Sequence, residues 1–202
     1  MTRRFALTFD YLCPFARNAN EHAIEALRAG ADLAVTWTPY SLAQGHVEDG
    51  QPSVWDRDEP HRASGLLALQ AGLVVRDEHP ERFLDVHEQL FAARHDRGED
   101  LRDRDVIAKV LEHADVDADA VFARIDDGSA LAALRREHEN AVEEHQVWGV
   151  PTFITEERAV FVRVLDRPEG DGDRATERVA QVLDLVRTPL ELHEFKQVDL
   201  PR

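Results

Sequence analysis

Sulfur and lysine are scarce in this chain. Cys13 is its only cysteine, it has one methionine, and Lys109 and Lys196 are its only lysines. A single cysteine excludes any disulfide within the chain, and scarce cysteine fits a reducing compartment, so a cytoplasmic location is expected. No apolar run reaches the roughly 20 residues of a membrane-spanning helix. The start, Met1-Thr2-Arg3-Arg4, runs straight into a strand-like segment, so no signal peptide is expected. Positive charge is also short: 24 Lys and Arg stand against 40 Asp and Glu, a formal net charge of −16. A phosphate backbone would be repelled, which excludes a general nucleic-acid binder. Internal repeats and low-complexity segments are absent too.

What is present suffices for a core. At 202 residues and 43% hydrophobic content the chain fits one domain carrying an insertion. Phe5, Leu7 and Phe9 alternate as in a strand. From Pro14 to about Ala29 the spacing of Ala19, Ala23, Ile24 and Leu27 predicts a helix, stopped at Gly30. Leu33–Thr38 reads as a second strand ended by Pro39, giving a right-handed βαβ unit. Ser41–Asp58, with Gly45, Gly50 and Pro52, reads as an irregular excursion. Ser64–Gln146 is helical in character: Gly65–Val75 forms a buried helix, Phe83–Arg94, Val106–Leu111 and Val121–Ile125 follow, and Ser129 caps a helix with Leu131, Leu134, His138, Ala141, Val142 and His145 on one face. Then Pro151–Thr155 and Ala159–Val164 read as an antiparallel hairpin. A final helix, with Ala175, Val179, Val182, Leu183 and Val186 on one side, ends at Pro189. Leu190–Arg202 has no clear period.

The chemistry centres on Asp10-Tyr11-Leu12-Cys13-Pro14-Phe15. Cys13 sits between a strand and a helix that Pro14 opens, a position proline fits because the first helical N–H has no intrahelical partner. Unpaired N–H groups and the helix dipole stabilise a thiolate there, so the position predicts a lowered thiol pKa. A nearby Asp10 carboxylate would act the other way. His138 and His145, two helical turns apart, and His87 from another helix are expected at a pocket. The sequence has no metal-binding spacing such as His-Glu-x-x-His, and no metal site is expected. Trp37 and Trp55 read as packing or pocket residues.

Two motifs, Asp10–Phe15 and Trp148-Gly149-Val150-Pro151-Thr152-Phe153, flank the helical stretch. Together they resemble the DsbA-like branch of the thioredoxin superfamily, up to about Arg187. Cytosolic relatives in that branch include kappa-class glutathione transferases, hydroxychromene-carboxylate isomerases and actinobacterial thiol-dependent reductases. The resemblance implies an α/β, thioredoxin-like fold (βαβ…ββα) with an all-helical insertion: a core from 1–52 and 147–188, an insertion at 53–146 and a tail at 189–202. It implies a cis bond before Pro151, facing Cys13, with the backbone of Val150 free to pair with an extended thiol-bearing ligand. Dithiol members carry a second cysteine where this chain has Ala16. A mixed disulfide at Cys13 would therefore need an external thiol for its release.

The leading expectation is a monothiol oxidoreductase or low-molecular-weight-thiol-dependent reductase. Cys13 is its nucleophile; Pro14, Phe15, Ala16, Trp148, Val150 and Pro151 contact the thiol or substrate; Asp10, His87, His138 and His145 lie around the pocket. Glutathione or mycothiol is the expected co-substrate, with a small electrophile or disulfide as the other partner, and a homodimer is one of the oligomeric states left open. The alternatives are a kappa-class-like transferase or isomerase, in which Cys13 stabilises a bound thiolate, and a non-catalytic binding protein that keeps the fold.

Overall fold

The computed structural model describes residues 2–57, 65–156 and 158–186. Strand β1 (Arg3–Phe9) pairs in parallel with β2 (Leu33–Pro39), from Arg3 beside Leu33 to Phe9 beside Pro39. On its other edge β1 pairs antiparallel with β3 (Thr152–Ile154), which pairs antiparallel with β4 (Ala159–Phe161). The sheet order is β2-β1-β3-β4. β1 lies inside the sheet, which is why Phe5, Leu7, Thr8 and Phe9 are all buried and its alternation fades toward the C-terminal end.

Helix α1 (Pro14–Arg28) connects the parallel pair. Ala16, Ala19, Ala23, Ile24 and Ala26 form its buried face, and Gly30 follows the C-cap at φ +85°, a conformation glycine adopts without strain. Helix α8 (Gly172–Val186) packs across α1 and buries Ala175, Val179, Val182, Leu183 and Val186. Its expected end at Pro189 and the tail 189–202 lie outside the described residues.

The insertion enters through two short elements where an irregular excursion was expected: α2 (Leu42–Gly45) and a 3-10 turn at Val54–Asp56. Ser41 and Ser53 cap them by accepting from Gln44 N and Trp55 N. Helices α3 (Leu66–Glu78), α4 (Pro80–His95), α5 (Arg104–His113), α6 (Ala118–Asp126) and α7 (Ser129–His145) follow. Every residue of α3 from Leu66 to Val75 is buried, because α4, α6 and α7 all pack on it. Each buried Leu, Val or Phe adds about 1.5–3 kcal/mol of transfer free energy. Arg76 ties α3 to Glu137 of α7 and to the Trp37 carbonyl of β2. Arg28 of α1 meets Asp85 and Glu88 of α4. The chain is thus a thioredoxin-like α/β core carrying an all-helical insertion.

Three local expectations are corrected. Ser129 begins α7 and does not cap it: Gly128 is the N-cap residue, and the Ser129 hydroxyl donates back to the Arg124 carbonyl. On α7 only Ala130, Leu134, His138 and Ala141 are buried, while Val142 and His145 are exposed. β4 stops at Phe161, short of Val164. Val162 N still donates to the Pro151 carbonyl in register, but Pro151 has no N–H to return, and beyond it Asn18 of α1 takes the Val164 carbonyl.

Candidate active site

The β1–α1 turn is built around Asp10. One carboxylate oxygen accepts from Leu12 N at 2.9 Å and the other from Leu42 N at 2.8 Å, joining this turn to the start of α2. Cys13 N donates to the Asp10 carbonyl at 3.0 Å. Asp10 is buried, and burial pushes its carboxyl up to about 6 despite the two N–H bonds.

Cys13 is the N-cap residue of α1. Its Sγ accepts from Ala16 N at 3.4 Å, and its thiol donates to the Val150 carbonyl at 3.5 Å. Here the expected lowered pKa is corrected. Burial pushes the thiol up, and the Asp10 charge adds to that; the N–H groups of Ala16 and Phe15 and the charge of Arg163 oppose it without prevailing. The physical reason is desolvation. Cys13 is only 8% exposed, and its hydrogen bond to a carbonyl belongs to the neutral form alone. Pro14 is exposed, Phe15 is half-buried, and Ala16 lies wholly inside the α1 packing.

The facing wall is the loop leading into β3. The Val150–Pro151 peptide bond is cis. Thr152 N donates to the Thr8 hydroxyl and the Thr152 hydroxyl to the Gly149 carbonyl, both at 2.8 Å, so the loop is pinned to β1. No backbone N–H among the described residues reaches the Val150 carbonyl, which is left to the thiol. Trp148 projects outward, 67% exposed, and its ring packs at a tilt against Phe161, with centroids 4.5 Å apart.

The three histidines do not converge. His87 is fully buried among Phe9, Trp37, Phe83 and Phe91 and lies beneath the site, not in it. Its Nε2 donates to Asn20 Oδ1 at 3.0 Å and its Nδ1 accepts from the Tyr11 hydroxyl at 2.8 Å; Asn20 in turn donates to the Ala16 carbonyl at 2.7 Å. This chain of bonds braces both flanks of Cys13, and burial holds the imidazole neutral, down to about 3. His138 accepts from Ser41 N and packs between Tyr40 and Trp55. It lines an open cleft of about 300 Å³ with Gln44, Ser53 and Arg135, to which Cys13 and Val150 do not contribute. His145 is exposed on the last turn of α7. The pocket role expected of His87 and His145 is therefore corrected: a helical period gives a face but not the elements that cover it. Trp37 is a buried packing residue, while Trp55, also buried, lines the His138 cleft.

Sequence reading missed Asn20, Arg163 and Phe161. Nothing in their local spacing marks them, because each reaches the site from a different element. Among the described residues no three His, Cys, Asp or Glu side chains come together as a metal site would require, and no helix is long and apolar enough to cross a membrane.

The fold has counterparts in known proteins. The chain is 26% identical over 163 residues to an uncharacterized protein of Mycobacterium tuberculosis, a match covering 80% of this chain and 69% of that one. It shares its fold with a probable DsbA oxidoreductase from Streptomyces coelicolor (TM-score 0.63, 18% identity, 97% of this chain and 94% of that one). The fold is equally similar to a 2-hydroxychromene-2-carboxylate isomerase (TM-score 0.63, 18% identity, 90% and 98%). The cytosolic disulfide reductase DsbM from Pseudomonas aeruginosa, solved with GSH, aligns at a TM-score of 0.59 and 16% identity, over 90% and 99%. The family model for the DSBA-like thioredoxin domain matches residues 6–169, and with most of its length inside that match the chain belongs to the DSBA-like thioredoxin family.

Proposed function

We propose that this protein is a one-cysteine thiol oxidoreductase that reduces small disulfides or electrophiles with the help of an external low-molecular-weight thiol. The observation that carries this reading is the Cys13 sulfur at the N-cap of α1, 3.5 Å from the carbonyl of Val150, with Ala16 where a resolving thiol would sit. The Cys13 thiolate attacks one sulfur of a disulfide R–S–S–R′, forming Cys13–S–S–R and releasing R′–S⁻. A second thiolate, R″–S⁻, then attacks the R sulfur, restoring the Cys13 thiolate and leaving R–S–S–R″. Glutathione or mycothiol in a reducing cytoplasm fits the second role.

The bond to Val150 gives the site a way to gain reactivity on binding. An extended ligand that donates an N–H to the Val150 carbonyl displaces the Cys13 thiol from it. The neutral form then loses its hydrogen bond, while the Ala16 N–H remains to hold the thiolate.

The raised thiol pKa favours one second reading: a transferase or isomerase in which the neutral Cys13 S–H donates to a bound thiolate and is never oxidised. A non-catalytic binding protein is the third. Incubation with glutathione disulfide or mycothiol disulfide, followed by intact mass, separates them. The oxidoreductase reading expects one adduct on Cys13, removed by the free thiol. An inert Cys13 sinks it, and full thiol-dependent turnover by Cys13→Ser establishes the second reading instead.

A further inference from the structure

We infer that Arg163 is the anion-recognising residue of the Cys13 site, with Trp148 as an aromatic shelf beside it, so that the site selects thiols and disulfides carrying a carboxylate on a planar apolar body. The inference rests on the reading of Cys13 as a thiol site. Arg163 lies just beyond β4, its guanidinium carbon 5.4 Å from the ring centre of Phe15 and 5.9 Å from that of Phe161. Phe15 stands two residues after Cys13. Phe161 lies against Gly149, where a Cβ would meet its ring at 3.4 Å, and its ring meets that of Trp148 at a tilt of 39°. These side chains form one strip from the first turn of α1 to the loop that holds Val150, so a ligand lying on it can place its sulfur against Cys13.

Several exposed arginines, Arg4, Arg94 and Arg136 among them, form no ion pair among the described residues; of these, Arg163 is the one that lies over aromatic rings beside Cys13. In a chain of net charge −16, arginines are commonly taken up by carboxylates: Arg17 by Glu21, Arg76 by Glu137, Arg104 by Asp126. Arg163 is exposed and forms no ion pair among the described residues; aromatic rings hold it instead. Contact with ring faces contributes about 0.5–1 kcal/mol at an exposed site and leaves the N–H donors free. A planar guanidinium already oriented can grip a carboxylate with two parallel bonds. The acidic surface repels anions in general, but at physiological salt that field fades beyond about 8 Å, and the local cation decides. Its charge also reaches the sulfur, where it lowers the Cys13 pKa. Trp148, 67% exposed on the same strip, supplies a flat apolar face for the body of the ligand.

The test is calorimetric titration of the reduced full-length protein with 4-mercaptobenzoate and with its neutral counterpart, 4-mercaptobenzyl alcohol. Tighter binding of the acid is expected. Arg163→Ala should weaken the acid about tenfold and the alcohol less than twofold, and Arg163→Lys should keep part of the preference. Trp148→Ala should weaken both alike. Equal affinity of the two thiols, equal losses in Arg163→Ala, or no binding of either overturns the inference. If Cys13 proves inert to glutathione disulfide while Arg163→Ala still loses the acid selectively, the oxidoreductase reading falls and the inference stands.

Discussion

Cys13 occupies a position that ordinarily activates a thiol, yet burial prevails over the helix start. The Ala16 and Phe15 N–H groups favour the thiolate, while desolvation and the nearby Asp10 carboxylate favour the thiol. For the unliganded protein, the alkylation rate of Cys13 with iodoacetamide should therefore still be climbing at pH 9, where an activated thiol would have levelled off near neutrality. Asp10→Asn removes the negative charge and should move the profile to lower pH. Unchanged profiles in that variant would mean that burial alone sets the thiol. The direction of this shift could not be read from Asp10-Tyr11-Leu12-Cys13, because spacing places the thiol at a helix start but says nothing of how the loop before β3 covers it.

At the scale of elements, the site depends on how closely α3 approaches the β1–α1 turn. Tyr11 reaches into the insertion, where its hydroxyl meets His87 of α4 and its ring lies against Phe91. A Cβ on Gly72 of α3 would collide with that hydroxyl. Gly72→Ala should destabilise the fold by about 1–3 kcal/mol through overpacking, measured by urea unfolding. Tyr11→Phe removes the colliding oxygen, so the alanine should cost less in that background. An equal cost in both would mean that helix α3 yields in some other way. Much of this architecture was legible: the periods of β1, α1, β2 and α8 are strong, and Cys13 and Val150-Pro151 mark the two walls of the site. The remainder depends on partners distant in sequence. His87 and His145 both lie at helical positions, but α1 and the sheet cover the first, and among the described residues nothing covers the second. Val162–Val164 has a strand-like composition, but Asn18 of α1 takes the Val164 carbonyl. Arg163 carries no sequence signal at all, since its partners Phe15 and Phe161 come from α1 and β4.

For the whole molecule, the same buried groups make stability depend on pH. His87 and His138 are held neutral by burial, at about 3 and about 4 against an ordinary 6.5. A base with a lowered folded pKa contributes stability that is present above 6.5 and lost as pH falls toward the folded value. Asp10 acts in the opposite sense. Its folded pKa of about 6 exceeds the ordinary 3.8, so its ionisation costs stability as pH rises through 6, and acidification returns it. From pH 7 to pH 5 the two histidines together lose about 4 kcal/mol and Asp10 returns about 1, a net loss of about 2–3 kcal/mol. Burial lowers His22 and His95 as well, which adds to the loss. The carboxylates of Asp96 and Asp166, held low by their arginines, lose their stabilising contribution only below about pH 4. Relief of the acidic surface's self-repulsion works against the loss, so a comparison of variants is cleaner than a single curve. His138→Asn offers an oxygen to Ser41 N in place of Nδ1 and does not titrate. Urea unfolding at pH 7 and pH 5 should show the variant losing about 2 kcal/mol less than the parent chain over that interval. Surface repulsion is common to both and cancels in the difference. Equal losses would show that His138 takes up its proton in the folded state and is less enclosed than its packing between Tyr40 and Trp55 requires.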